Sequence, residues 1–304
     1  MFPKVEKKFG AECLPNRATR RYYLAHKVLR PNTLPRRISF TTMGPMNSTP
    51  RELLKVCELA ARAGAERLLA WKGRFQARQK APRDLVTDAD LASEKAIRAV
   101  ISAHFPDHGI LGEEAPTPEE LDRPYCWVVD PLDGTINYAH GNPCYGPSVA
   151  VASRGRLLAG VVYDPERDEC FAAAAGEGAR LNGVPMAVSS EKVVENSLAA
   201  VSFPTVVTAD APDIRAFMTA APVCLAMRRT GSAALNLAYV ACGRFDAHWA
   251  YEINPWDSAA GVLLVQEAGG VATAWDGGPY QLASGDYLAA GTAELHRALQ
   301  PLLR

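Results

Sequence analysis

From residue 48 onward, apolar positions recur with two distinct periods, and the period separates helices from strands. Leu53, Val56, Leu59, Ala60, Ala63, Leu68 and Trp71 fall at helical spacing. The start of this helix is written in Ser48-Thr49-Pro50-Arg51-Glu52: Thr49 caps, Pro50 takes the first helical position and Glu52 closes a capping box. A basic loop follows. Then 84–90 reads as a short strand running into a second helix with Leu91, Ile97, Val100, Ile101 and Phe105 as its apolar positions. A turn at 105–109 leads to a strand at 110–114 that ends in two acids. The apolar run 127–129 predicts a buried strand stopping at Asp130, because Pro131 has no amide hydrogen to continue a ladder. Runs at 149–153, 157–163 and 169–174, joined by short polar turns, predict an antiparallel meander, and Asn182-Gly183 predicts another tight turn.

Beyond about residue 190 the pattern alternates: strand 199–203, helix 212–220, strand 224–227, helix 232–242, strand 244–249. Asn254-Pro255-Trp256-Asp257 opens a last helix that Gly269-Gly270 closes. This divides the chain into an α+β part at 48–188, which holds the candidate metal ligands, and an α/β part at 189–304 on the substrate side. Residues 1–47 stand apart, basic and rich in proline, without sustained periodicity. Their composition predicts no packed structure. An organelle-targeting segment, a basic tail and a start assigned upstream of Met43 or Met46 are all open readings, and the third is favoured.

Composition narrows the function. With 48% hydrophobic residues in 304, the chain can bury a sizeable core. A formal net charge of zero gives no electrostatic case for nucleic acid or membrane, and no run approaches the length of a membrane span. Seven cysteines, widely spaced and without a CxxC pair, read as reduced thiols of a cytoplasmic protein, with organelle import through 1–47 as the alternative. Six histidines without clustered spacing argue against zinc.

The remaining candidate chemistry is acidic. Asp130 and Asp133, three apart across a turn that Gly134 permits, can converge with the Leu132 carbonyl on one point. Oxygen-only donors suit a hard cation, magnesium above all. A capping turn is the plainer alternative for this motif, and it is also open for Asp90 and Asp257, each in the first turn of a helix.

Taken together, LVTDAD at 85–90, ILGEE at 110–114, WVVDPLDGTIN at 127–137 and PWDSAAGVLLVQEAGG at 255–270 resemble the inositol monophosphatase family of magnesium-dependent, lithium-sensitive phosphatases, over about residues 50–300. The resemblance implies an α/β fold, a layered αβαβα sandwich with the site between its two parts. It implies that Glu113, Asp130, the Leu132 carbonyl and Asp133 hold Mg2+, with Asp90 and Asp257 completing the cluster. Glu113 and Thr135 would orient and deprotonate an attacking water, while Gly134 and Thr135 offer amides to the phosphate. Asp84 and Thr87 would support the water network. Gly231, Ser232 and Ala233 match the stretch that approaches the polyol, and Glu252 matches a glutamate that reads hydroxyls. The chain departs from the family here: it has about two fewer residues between Glu252 and Trp256-Asp257, which puts Glu252 in question.

The implied activity is a phosphomonoesterase for inositol 1-phosphate or a related polyol or sugar monophosphate, attacked in line by metal-activated water. Nucleotide 3'(2'),5'-bisphosphates, histidinol phosphate and fructose 1,6-bisphosphate are the alternatives within the fold. A partner protein for RNA polymerase or RNA is the alternative of another class. The expected partner is a small phosphate monoester, with no membrane, no nucleic acid and a homodimer suggested by the resemblance. Because a clean capping box begins at Thr49, a chain starting at Met46 should keep the full chain's melting temperature. A large drop would assign residues 1–45 to the fold.

Overall fold

The computed structural model describes residues 48–81 and 83–303, so the expectations for 1–47 lie outside the described residues. Helix α1 (Pro50–Trp71) begins with the expected capping box: Thr49 Oγ1 accepts from the Glu52 amide at 3.3 Å, and Glu52 Oε2 accepts from the Thr49 amide at 2.8 Å. Its buried stripe is Leu53, Val56, Cys57, Ala60, Ala61, Gly64, Ala65 and Leu68. Leu59, expected in that stripe, is on the solvent side, as is Leu91 of helix α2 (Asp88–His104). Small residues explain why: alanines and Gly64 let α2 approach closely, so the contact stripe is narrow. A Cβ on Gly64 would sit 2.7 Å from Ile97 Cδ1.

The basic stretch read as a loop is instead strand β1 (Ala77–Ala81), paired antiparallel with β2 (Asp84–Thr87). Its charges mask the strand, because their partners are distant in sequence: Arg78 pairs with Asp88 at 2.9 Å, and Lys80 with Glu113 at 3.2 Å.

A seven-stranded sheet follows, β3 (Gly109–Gly112), β4 (Cys126–Asp133), β5 (Gly146–Ser153), β6 (Arg156–Asp164), β7 (Glu169–Ala174), β8 (Ala179–Leu181) and β9 (Val184–Pro185), in that spatial order. Only β3 and β4 run parallel. Strand β4 does not stop at Asp130. Its ladder breaks at Pro131, as a residue without an amide hydrogen requires, and resumes where Asp133 pairs with Gly146. Alternate residues Trp127, Val129, Val149, Val151, Ala159 and Val161 pack against α1 and α2. The intervening residues face the other way, where Gly160 meets Ala260 of helix α6 (Pro255–Glu267).

The second sheet has the order β11-β10-β12-β14-β13, from β10 (Leu198–Ser202), β11 (Ala226–Arg228), β12 (Ala247–Ala250), β13 (Val271–Thr273) and β14 (Tyr287–Ala290). The first three are mutually parallel neighbours, and β13 and β14 add antiparallel. Helix α5 (Ala233–Ala241) and α6 fill the space between the sheets. Helices α4 (Pro212–Ala220) and α7 (Ala293–Leu299) close the outer face through Ala216, Ala220, Leu295 and Leu299 against Val201, Trp249 and Leu288. The layers are thus αβαβα.

The tightest contact between layers is at Gly160, where an added Cβ would lie 2.9 Å from Ala260 Cα. Gly160→Ala should therefore push α6 off the sheet and cost about 1–3 kcal/mol, read as a lower urea midpoint at unchanged slope. An unchanged midpoint would show that the layers yield without cost.

Candidate active site

Strand β4 delivers two carboxylates and helix α6 a third. One carboxylate oxygen each from Asp130, Asp133 and Asp257 lies within 4.8 Å of the others. Local backbone geometry fixes all three. Asp130 Oδ1 accepts from the Leu132 amide at 2.8 Å across the Pro131 break. Asp257 is the third residue of α6, and its Oδ2 accepts from the Asn254 amide at 2.9 Å in a capping box. It is a capping residue and a member of the cluster at once. Asp133 Oδ2 accepts from the Ala234 amide at 2.7 Å and from the Ser232 hydroxyl, so the first turn of α5 grips it. Ser232 is fully buried and its Oγ also caps α5. Its hydroxyl is thereby committed to Asp133 and to the helix, while Gly231 and Ala233 line the pocket.

Beside this group stands a second one. Asp90 is fully buried at the start of α2, where Oδ2 accepts from the Thr87 amide at 2.8 Å and also from the Thr87 hydroxyl. Its other oxygen accepts from Thr135 Oγ1 at 3.0 Å, and the same hydroxyl lies 3.1 Å from the Leu132 carbonyl. Gly134, just before helix α3 (Thr135–His140), has φ 95°, and a Cβ there would meet the Cys144 carbonyl at 2.8 Å. Only glycine makes this turn without strain. Glu113 follows β3, its amide bonded to the Val129 carbonyl at 3.1 Å.

Electrostatics ties the groups together. Burial, then Glu113, Asp133 and Asp257, hold the Asp130 carboxyl well above its usual range. Burial followed by Asp133 and Glu113 does the same to Asp257. Asp133 is raised to about 6 by burial, against hydrogen bonds from Ser232 and Ala234. Glu113 is raised by burial and by Asp90, opposed by Lys80, and Asp84 by burial and Glu113, again opposed by Lys80. Glu114 rises to about 8 through burial and Glu113. Burial works to lower the Lys80 ammonium, but Glu113 and Glu114 outweigh it and hold it above its ordinary value. A set of all-oxygen donors whose mutual repulsion disfavours ionisation fits a hard divalent cation.

One wall of a small pocket of about 120 Å³ is formed by Asp133 and Asp257. Ser202, Phe203, Arg229 and Ile253 line the same pocket. Glu252 is not among the lining residues. It is exposed, with φ 48°, and its amide donates to Asp286 Oδ1 at 2.7 Å.

The sequence profile of the inositol monophosphatase family matches residues 49–304. The chain belongs to this family. Family membership makes it a metal-dependent phosphomonoesterase by class. It is similar to the inositol-1-monophosphatase of Synechocystis, at 40% identity over 263 residues, 84% of this chain and 91% of that one. It is also similar to the Nus factor SuhB of Haemophilus influenzae, at 42% identity covering 75% of this chain and 86% of that one. Among solved structures, the inositol monophosphatase of Anabaena superposes with a TM-score of 0.73 at 38% identity, covering 83% of this chain and 95% of that one.

Two residues of this inositol monophosphatase fold escaped the sequence reading, and a third, Asn137, stood in the 127–137 motif without a role. Lys80 was hidden in the supposed loop. Ser93, whose hydroxyl donates to the Pro131 carbonyl at 2.8 Å, looked like an ordinary helical serine. Asn137 donates from one amide nitrogen to the Cys144 carbonyl at 2.7 Å and the Thr230 carbonyl at 2.9 Å. Its position directly after the acidic motif was the available signal.

Asp133 binds its proton more tightly folded than unfolded, so its contribution to stability is complete below about 4 and is lost as pH rises through about 6. In chelator, the melting temperature of the wild type should therefore fall relative to Asp133→Asn over that interval. Added divalent cation should raise it most at the upper end. A relative rise in chelator would mean that Asp133 is stabilised as the anion.

Proposed function

We propose that this chain is a magnesium-dependent phosphatase of small polyol and sugar monophosphates, inositol 1-phosphate among them. The observation that carries this reading is the convergence of Asp130, Asp133 and Asp257 on one point at the wall of a pocket. These three, with Glu113, Asp90 and the Leu132 carbonyl, would hold the ions, and oxygen donors in this number suit magnesium. Bound magnesium would supply Lewis-acid charge, easing deprotonation of water and neutralising charge on the phosphate and the leaving oxygen.

The protein's own groups do the rest. The Thr135 hydroxyl, donating to Asp90, is left with lone pairs that accept a proton of the attacking water and so fix its direction. Glu113, whose raised carboxyl is poised for proton transfer, takes the proton. Amides at Gly134 and Thr135 meet the phosphate oxygens, as the unsatisfied donors at a helix start favour. Thr87 steadies Asp90 through its amide and its hydroxyl, and Asp84 would support the water network. Attack is in line with the leaving alcohol, and no covalent intermediate with the protein is needed.

The name of the Haemophilus relative, a Nus factor, supports a second reading in which the chain also assists transcription. The complete acidic set favours catalysis as the primary role.

A phosphate-release panel over inositol 1-phosphate, glycerol 2-phosphate, fructose 1,6-bisphosphate, histidinol phosphate and a nucleotide bisphosphate tests the assignment. Activity should vanish in chelator, return with magnesium and fall with lithium, and Asp130→Asn and Asp257→Asn should each lose most of it. Full turnover in chelator would remove the metal from the mechanism. Glu113→Gln should lower kcat by at least about a hundredfold, the range of general-base catalysis, and Glu114→Gln far less. Equal losses at both positions would move the base away from Glu113.

A further inference from the structure

The pocket that Asp133 and Asp257 line has other lining residues that hydroxyl recognition does not explain. Glu252, the acid expected to read polyol hydroxyls, lies off the pocket, and its neighbour Ile253 lines it instead. Next to this apolar side chain are Phe203 and Arg229. The Arg229 guanidinium lies 5.4 Å from the centre of the Phe203 ring. A cation–π contact of this length draws on the guanidinium's charge and commits none of its N–H donors. Among the described residues Arg229 has no carboxylate partner, in contrast to Arg244, which Glu169 engages through both guanidinium nitrogens.

A fork of unspent donors at the mouth of a pocket is complementary to a planar or tetrahedral anion. In the phosphatase reading the ester phosphate would be taken up at the acidic cluster, where Asp130, Asp133 and Asp257 would hold the cations, which leaves a different anion for Arg229. What reaches Arg229 is the alcohol side of the substrate. We propose that Arg229 is a specificity residue that reads a second anionic group, a carboxylate or a second phosphate, on the alcohol portion of the ester. The inference rests on the phosphatase reading above and refines its substrate class. Neutral polyol phosphates are turned over, and those carrying a further anion are preferred.

Two matched pairs of esters test this. Glycerol 2-phosphate and 2-phosphoglycerate differ only in a hydroxymethyl group replaced by a carboxylate. Fructose 1-phosphate and fructose 1,6-bisphosphate, followed at the first carbon, differ only in the second phosphate. With magnesium present, the anionic member should have a kcat/KM at least about tenfold above its neutral partner, expressed in KM, as a charge-assisted hydrogen bond supplies. Arg229→Gln should bring the ratio close to one, and Arg229→Lys, which keeps the charge without the fork, should retain part of it. A preference in one pair alone identifies the anion as carboxylate or phosphate. A ratio near one in the wild type would overturn the proposal. So would an unaltered ratio in Arg229→Gln with a wild-type melting temperature. No hydrolysis of the four esters or of inositol 1-phosphate would overturn the phosphatase reading itself, and hydrolysis of inositol 1-phosphate alone would overturn this inference and leave that reading standing.

Discussion

Repulsion among buried carboxylates is the constraint around which this molecule is arranged. Asp130, Asp133, Asp257, Glu113 and Asp90 all lose solvation, and each of them is pushed toward its neutral form by burial. Left to relax, such groups would turn apart. They are prevented by short-range hydrogen bonds from the backbone: the Leu132 amide for Asp130, the Ala234 amide for Asp133, the Asn254 amide for Asp257 and the Thr87 amide for Asp90. Four amides on four separate pieces of chain therefore hold the geometry, and each belongs to a helix start or to a strand irregularity. Lys80 balances the cluster on one side only, through Glu113 and Glu114.

This arrangement also explains why the two sheets are not independent. Asp133, at the end of a strand in the first sheet, is held by the first turn of α5, which packs against the second. Ser148 in β5 donates to the Trp256 carbonyl at the start of α6 at 3.1 Å, beside Asp257. Small residues at Gly160 and Ala260 bring sheet and helix close enough for these bonds to form. Packing distance between layers and spacing of the acids are therefore one quantity.

Much of this was legible from the residues because helix starts and turn chemistry act locally. The capping box at Thr49 and Glu52 and the helix opening at 254–257 stand in the structure where the sequence puts them. The meander strands did as well, since apolar runs bounded by short polar turns are also local signals. What stayed hidden depends on partners far away in the chain. Strand β1 is charged, and its arginine and lysine find acids only after folding. Resumption of β4 beyond Pro131 depends on Gly146 in the neighbouring strand. The commitment of Ser232 to Asp133 spans 99 residues and has no local trace. The apolar surface of α1 was overestimated at Leu59, because periodicity gives the direction of a stripe but not its width.

Asn137 ties together two things that a protein under selection would gain by varying separately. A single side-chain nitrogen bridges the Cys144 carbonyl, which faces the Gly134 turn, and the Thr230 carbonyl, next to Arg229. Gly231 fits so closely beside it that a Cβ would lie 2.8 Å from that nitrogen. The segment preceding α5 is thus pinned to the loop that carries Asp133 and Gly134. Insertions or deletions there would displace the Gly134 turn along with the part of the pocket that Gly231 and Arg229 line. Diversification of such a scaffold is channelled into exchanges of side chains at fixed backbone, at positions such as 203 and 229, and into loops without this tether, such as the one after Glu252.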